Sequence, residues 1–209
     1  MSNSRAASAA PAAILVQIVV LAVSFLALPA RPVPAAPPGN ATDTVVVRYQ
    51  EVIGELAEAD RGPSLEVRAD GRVQVHFPPY MRRAGDWETT LDARSLDELI
   101  GTLVGHGVLD FDAGATRARK RQSLATRAAR ARQRPGETLL FEAADETTTI
   151  ITVRDGDTER TVSWSGLRGD SKHHPELPEL AALRAAQRVL EALMVRPGLV
   201  RRPFAGGTP

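Results

Sequence analysis

PSLEVRADGRVQVHF, residues 63–77, carries two runs of alternating apolar and polar residues on either side of Asp70-Gly71. Leu65 and Val67 share a face in the first run, and Val73, Val75 and Phe77 share one in the second. A two-residue Asp70-Gly71 loop would set Val67 against Gln74, apolar against polar. A three-residue loop, Ala69-Asp70-Gly71 with Gly71 left-handed, sets Val67 against Val73 and Leu65 against Val75. One face is then wholly apolar. That hairpin is the expected centre of an antiparallel sheet.

Working outward, residues 44–53 (TVVVRYQEVI) are β-branched and read as a strand with Val45, Val47 and Tyr49 on one face. Pro78-Pro79 ends the second hairpin run, because proline has no N–H for a ladder. Residues 87–91 (WETTL) are a short third partner with Trp87, Thr89 and Leu91 inward. Ser95 and Glu98 have the spacing of a capping box. The helix they open carries Leu96, Leu99, Ile100 and Leu103 as one stripe and stops near Gly105 and Gly107. Residues 108–111 (VLDF) return to the core.

Further strands are expected at 138–143 (TLLFEA), 147–153 (TTTIITV) and 158–164 (TERTVSW). An Asp155-Gly156 turn between the last two puts Thr149 opposite Val162 and Ile151 opposite Arg160. Residues 165–175 read as a polar loop. A last helix at 178–195 has Leu180, Leu183, Leu190, Leu193 and Met194 on one side and stops at Pro197-Gly198. The expected class is α+β: an antiparallel sheet built from hairpins, with two amphipathic helices packed on one face.

Before this body lies AAILVQIVVLAVSFLAL, residues 12–28, with no charge and one amide. As a helix it spans about 26 Å, short for a ~30 Å hydrocarbon core. Arg5 precedes it and small residues follow, so residues 1–30 read as a signal peptide or a single-pass membrane anchor. Residues 31–43 are a Pro/Ala linker, 44–196 the globular domain with a basic insert at 113–135, and 197–209 a disordered tail. Either N-terminal reading implies export: a periplasmic, extracellular or membrane-anchored protein. The membrane is a partner if the segment stays uncleaved.

There is no cysteine, which excludes disulfides, thiolate metal sites and thiol nucleophiles. At 4% aromatic, the core must be built from Leu, Val, Ile and Ala. The net charge of +1 conceals segregation. Eight of the 26 basic residues are Arg117, Arg119, Lys120, Arg121, Arg127, Arg130, Arg132 and Arg134, with no acid among them. Without those eight, 18 basic residues face 25 acidic ones. The body is acidic and one insert is strongly basic.

That insert has helical composition, but Leu124 is its only large apolar residue, so an exposed helix or a disordered loop is expected. It can be a solvated segment, an electrostatic contact for anionic lipid or an acidic polymer, or a strap docked on the protein's own acidic surface. Nucleic acid is not an expected partner, because no aromatic residues interleave with the cations. A protein partner is not specified by any motif.

Catalytic signals are sparse. His76 falls on the polar face of a strand and His106 at a helix end. Asp170, His173, His174 and Glu176 cluster in sequence, but without the i, i+4 pair or second motif that completes a metal site. Ser163 and Ser165 lack a nucleophile elbow. No phosphate-binding glycine pattern occurs. The sequence therefore assigns no catalytic residue, metal ligand or cofactor.

The segments 65–75, 91–103, 107–111, 145–153 and 177–193 together resemble a diffuse group of uncharacterised bacterial exported or membrane-anchored domains. The resemblance covers about half the chain, implies no activity or site, and does not extend to the basic insert. The expected function is a non-enzymatic binding module of the cell envelope. The alternative is a metal-dependent or hydrolytic enzyme built on residues 170–176.

Overall fold

Val67 pairs with Val73 and Leu65 with Val75, the register of the three-residue loop, in a computed structural model that describes residues 43–54, 62–132 and 147–203. The two strands are β2 (Ser64–Arg68) and β3 (Arg72–Phe77). Gly71 is left-handed at φ 82°, and a Cβ there would collide with the Leu91 carbonyl. Only glycine meets both demands.

Around this hairpin stand β1 (Val45–Val52), β4 (Gly85–Thr90), β5 (Thr148–Asp155), β6 (Thr158–Ser165) and β7 (Val200–Arg201). All pairings are antiparallel, in the order β6-β5-β1-β2-β3-β4-β7. Four helices complete the described residues: α1 (Ala93–Gly105), α2 (Ala113–Arg132), α3 (Leu167–His173) and α4 (Pro178–Met194). The class is α+β, as expected.

The registers put Val47, Tyr49, Leu65, Val67, Val73, Val75, Ile151, Val153 and Val162 on one face, all buried. Leu96, Leu99 and Leu103 of α1 join the same core, as do Leu180, Leu183, Leu190 and Leu193 of α4. Full burial of one such side chain contributes about 1.5–3 kcal/mol, so these two stripes hold α1 and α4 on the sheet. The opposite face carries Arg48, Gln50, Glu66, Gln74, His76 and Glu88, none of them buried. Val45 leaves the buried row because a bulge separates it from Val47.

Several expectations need correction. The capping box is not formed. Asp92 caps α1, its Oδ1 accepting from Ser95 N–H at 2.7 Å, and Glu98 accepts instead from Arg94 Nε at 2.8 Å. A carboxylate at this position satisfies an orphan N–H and complements the positive end of the helix dipole, and that N–H holds the Asp92 carboxyl below its usual range. The other end matches the expected stop: Gly107 is left-handed, and the N–H groups of Gly107 and Val108 reach back to the Val104 and Leu103 carbonyls.

The β5–β6 turn lies one residue later, at Gly156-Asp157, with Asp155 opposite Thr158. This shift sets Ile151 against Val162 and Thr149 against Trp164, replacing the apolar–charged pair of the expected register. Residues 165–175 are not simply a polar loop, because α3 forms there after left-handed Gly166. The tail is ordered as far as β7, where Val200 pairs with Glu88 and Arg201 with Trp87. The expected strand at 138–143, residues 1–42 and residues 204–209 lie outside the described residues. Among the described residues no helix is long and apolar enough to cross a membrane.

Candidate functional site

The basic insert is the helix α2. Ala, Arg, Lys and Gln are strong helix formers, so it needs no apolar stripe to be helical. Asp112 starts it, its Oδ1 accepting from Ala115 N–H at 2.9 Å. Thr116 is its only buried residue.

What holds α2 is a polar stripe. Thr116, Lys120, Ser123 and Arg127 recur at i, i+4, i+7 and i+11, one face of a helix. Lys120 Nζ lies 2.9 Å from Asp170 Oδ2, with side chains only 13% and 7% exposed. The same oxygen accepts from Trp164 Nε1 at 2.7 Å. Ser123 donates to Glu176 Oε1, and Arg127 reaches both oxygens of that carboxylate at 3.0 and 3.1 Å. His174 Nδ1 is 3.1 Å from Glu176 Oε1. Beside the stripe, Arg119 pairs with Glu179. Arg117 donates to the Ser163 carbonyl at 2.8 Å while its guanidinium lies 5.3 Å from the centre of the Trp164 ring. Phe111 meets Trp164 in a T-shaped contact, with ring centroids 5.8 Å apart.

These contacts define an acidic shelf of Asp170, Glu176 and Glu179 on α3, α4 and the turn between them. The Ser123 hydroxyl bond, above all, pulls the Glu176 carboxyl down to about 2, and Arg127 and His174 add to the effect. The shelf reaches α2 because Leu167, Asp170 and His174 form the buried i, i+3, i+7 side of α3 and its C-cap.

Of the eight basic residues, Arg117, Arg119, Lys120 and Arg127 are thus committed to the body. Arg121, Arg130 and Arg132 are exposed and have no carboxylate partner among the described residues. Arg134 lies outside them. The insert is docked on the protein's own acidic surface rather than free in solvent.

Asp170, His173, His174 and Glu176 do not converge on one point. Asp170 faces Lys120 and Trp164, Glu176 faces α2, and His173 is exposed. Among the described residues no three His, Asp or Glu side chains stand close enough to hold a metal ion. Ser165 shares a hydrogen bond with Thr148 at 2.8 Å, and among the described residues no histidine bonds to Ser163 or Ser165. His106 is the α1 C-cap.

Two other regions merit description. A depression of about 520 Å³ on the open sheet face is lined by Arg48, Glu66, Gln74, His76 and Asp86. Its polar groups are mutually paired, Arg48 with Glu66 at 2.9 Å and His76 Nδ1 with Asp86 Oδ1 at 2.7 Å. Between β1 and α4, Tyr49 Oη donates to Glu51 Oε1 at 2.7 Å, and Gln187 Nε2 donates to both of these oxygens. Burial first, then Glu51, raises the Tyr49 phenol far above its ordinary value, so it stays neutral and acts as a clamp. No protein-family model, curated protein or solved structure matches the chain.

Proposed function

We propose that this protein is an exported, non-enzymatic interaction module of a bacterial cell envelope that meets anionic surfaces through α2. The observation that carries the reading is the charge of this helix. It has seven cations and no acid, and Arg121, Arg130 and Arg132 face solvent without a carboxylate partner among the described residues. Residues 12–28, as a signal peptide or membrane anchor, support export, and the resemblance to bacterial exported domains agrees with it. A short Pro/Ala linker would keep a tethered domain close to the lipid surface, which favours anionic headgroups over a soluble acidic polymer as the ligand.

The enzymatic alternative requires Asp170, His173, His174 and Glu176 to meet around one reacting atom. Asp170 and Glu176 instead serve as counter-ions to α2.

The test is co-sedimentation of the full chain with vesicles of phosphatidylglycerol and phosphatidylcholine against vesicles of phosphatidylcholine alone. An apolar N-terminus binds both, so the difference between them reads the helix. A basic residue near an anionic surface contributes at most about 1 kcal/mol. Replacing Arg121, Arg130 and Arg132 by Gln therefore lowers the anionic preference by up to about 100-fold at low salt. Equal binding to both vesicles by the unaltered chain would contradict the proposal.

A further inference from the structure

Four of the cations on α2 are already occupied from within. Arg119, Lys120 and Arg127 meet Glu179, Asp170 and Glu176, while Arg117 covers Trp164. The grip is uneven along the helix. Lys120–Asp170 is enclosed, and Asp170 is further fixed by the Trp164 indole N–H. Seven residues on, Arg127 and Glu176 are 43% and 40% exposed, and no apolar side chain of the helix is buried. Exposed pairs of this kind stabilise little and weaken in salt.

We infer that Glu176 is an internal stand-in for the ligand, displaced from Arg127 when the distal half of α2 meets an anionic lipid surface. This rests on the reading of α2 as an anionic contact and adds its regulation. The docked form neutralises Arg127 with the exposed carboxylate of Glu176, while Arg119, one residue before Lys120, stays with the half-buried Glu179. A planar array of headgroups offers Arg127 replacement anions and also engages Arg130, three residues on and on the same side of the helix. A 20-residue helix, about 30 Å long, suits such an array better than a single free phosphate. The Lys120–Asp170–Trp164 contact stays closed and acts as the root of the arm. Glu176 thus sets a threshold: weakly anionic surfaces leave α2 docked, and strongly anionic ones lift its distal half.

The inference predicts a sign that simple charge attraction does not. Glu176→Gln removes the internal competitor, so the full chain binds phosphatidylglycerol vesicles about tenfold more tightly. Asp97→Asn makes the same change in net charge at an exposed position on α1, and raises binding much less. Equal gains in the two variants would overturn the inference while leaving the anionic contact standing. No preference for phosphatidylglycerol in the unaltered chain would overturn both. A tenfold gain seen with soluble polyglutamate but not with vesicles would overturn the lipid occupant.

A second measurement reads the position of the helix rather than the gain in affinity. The chain has no cysteine, so Ser123→Cys with Glu176→Cys places a unique thiol pair across the distal contact. Bridging the pair with a reducible thiol cross-linker holds the arm down and lowers binding to phosphatidylglycerol vesicles, and reduction restores it. Equal binding before and after reduction would contradict displacement.

Discussion

Replacing Asp170 by alanine removes an oxygen that ties α2 to β6. Asp170 is 5% exposed, and its Oδ2 accepts from Lys120 Nζ at 2.9 Å and from Trp164 Nε1 at 2.7 Å. Without it the indole N–H loses its acceptor at a residue only 2% exposed, and an unsatisfied buried donor costs about 1–3 kcal/mol. Breaking an enclosed ion pair by deleting one partner costs about 3–5 kcal/mol. Lys120 can recover part of that by turning its ammonium toward water, since its side chain is 13% exposed. The net expectation is a loss of about 2–4 kcal/mol. Urea unfolding of the full chain, followed by tryptophan fluorescence and far-UV circular dichroism, reads this as a midpoint lowered by about 1–2 M. Asp170→Asn keeps an acceptor for the indole and falls between alanine and the unaltered chain. Lys120→Met combined with Asp170→Ala loses less than the two changes summed. A loss below about 0.5 kcal/mol for Asp170→Ala, the range of an ordinary surface change, would refute this carboxylate as the root of the α2 contact.

Gly71→Ala forces a Cβ into a left-handed residue against the Leu91 carbonyl. It should lower stability by about 1–3 kcal/mol, visible as a drop of several degrees in Tm. Asp92→Ala removes the α1 cap and costs about 1 kcal/mol in the same urea assay, whereas Glu98→Gln, outside the cap, stays within about 0.5 kcal/mol; the reverse order would restore the capping box. Glu176 titrates near 2 in the fold and near 4.5 when free, so its contribution is complete above pH 4.5 and lost as pH falls toward 2. A side-chain carboxyl NMR titration should place its midpoint near 2, and Ser123→Ala should raise it; a midpoint in the ordinary range would remove the Ser123 bond from the account.

The elements that could be read in advance are those whose pattern has only one solution. The 63–77 hairpin is one, because slipping its register by one residue turns Leu65, Val67, Val73 and Val75 to the wrong face. The stripes of α1 and α4 are two more. Moving the β5–β6 turn by one residue shifts the strand pairing by two and keeps every side chain on its face, and only the pairing of Ile151 with Val162 decides it. α3 was hidden because its buried positions are Leu167 and the charged Asp170, followed by a buried C-cap, His174. The burial of Asp170 and His174 depends on Lys120, Trp164 and Glu176, partners that local periodicity does not identify. The candidate site divides in the same way. The cations of α2 stand out by composition, and Asp170 and Glu176 stand out as ligating residue types. That they answer one another follows from three-dimensional packing. The Thr116, Lys120, Ser123, Arg127 spacing was the available signal, one that an apolar criterion passes over.

The most direct measurement is binding of the full chain to vesicles with and without phosphatidylglycerol, across a salt series, beside the Arg121→Gln, Arg130→Gln, Arg132→Gln variant. The account predicts an anionic preference that weakens as salt rises and that the variant largely loses. Equal binding to both kinds of vesicle, or a variant that retains the full preference, would contradict it.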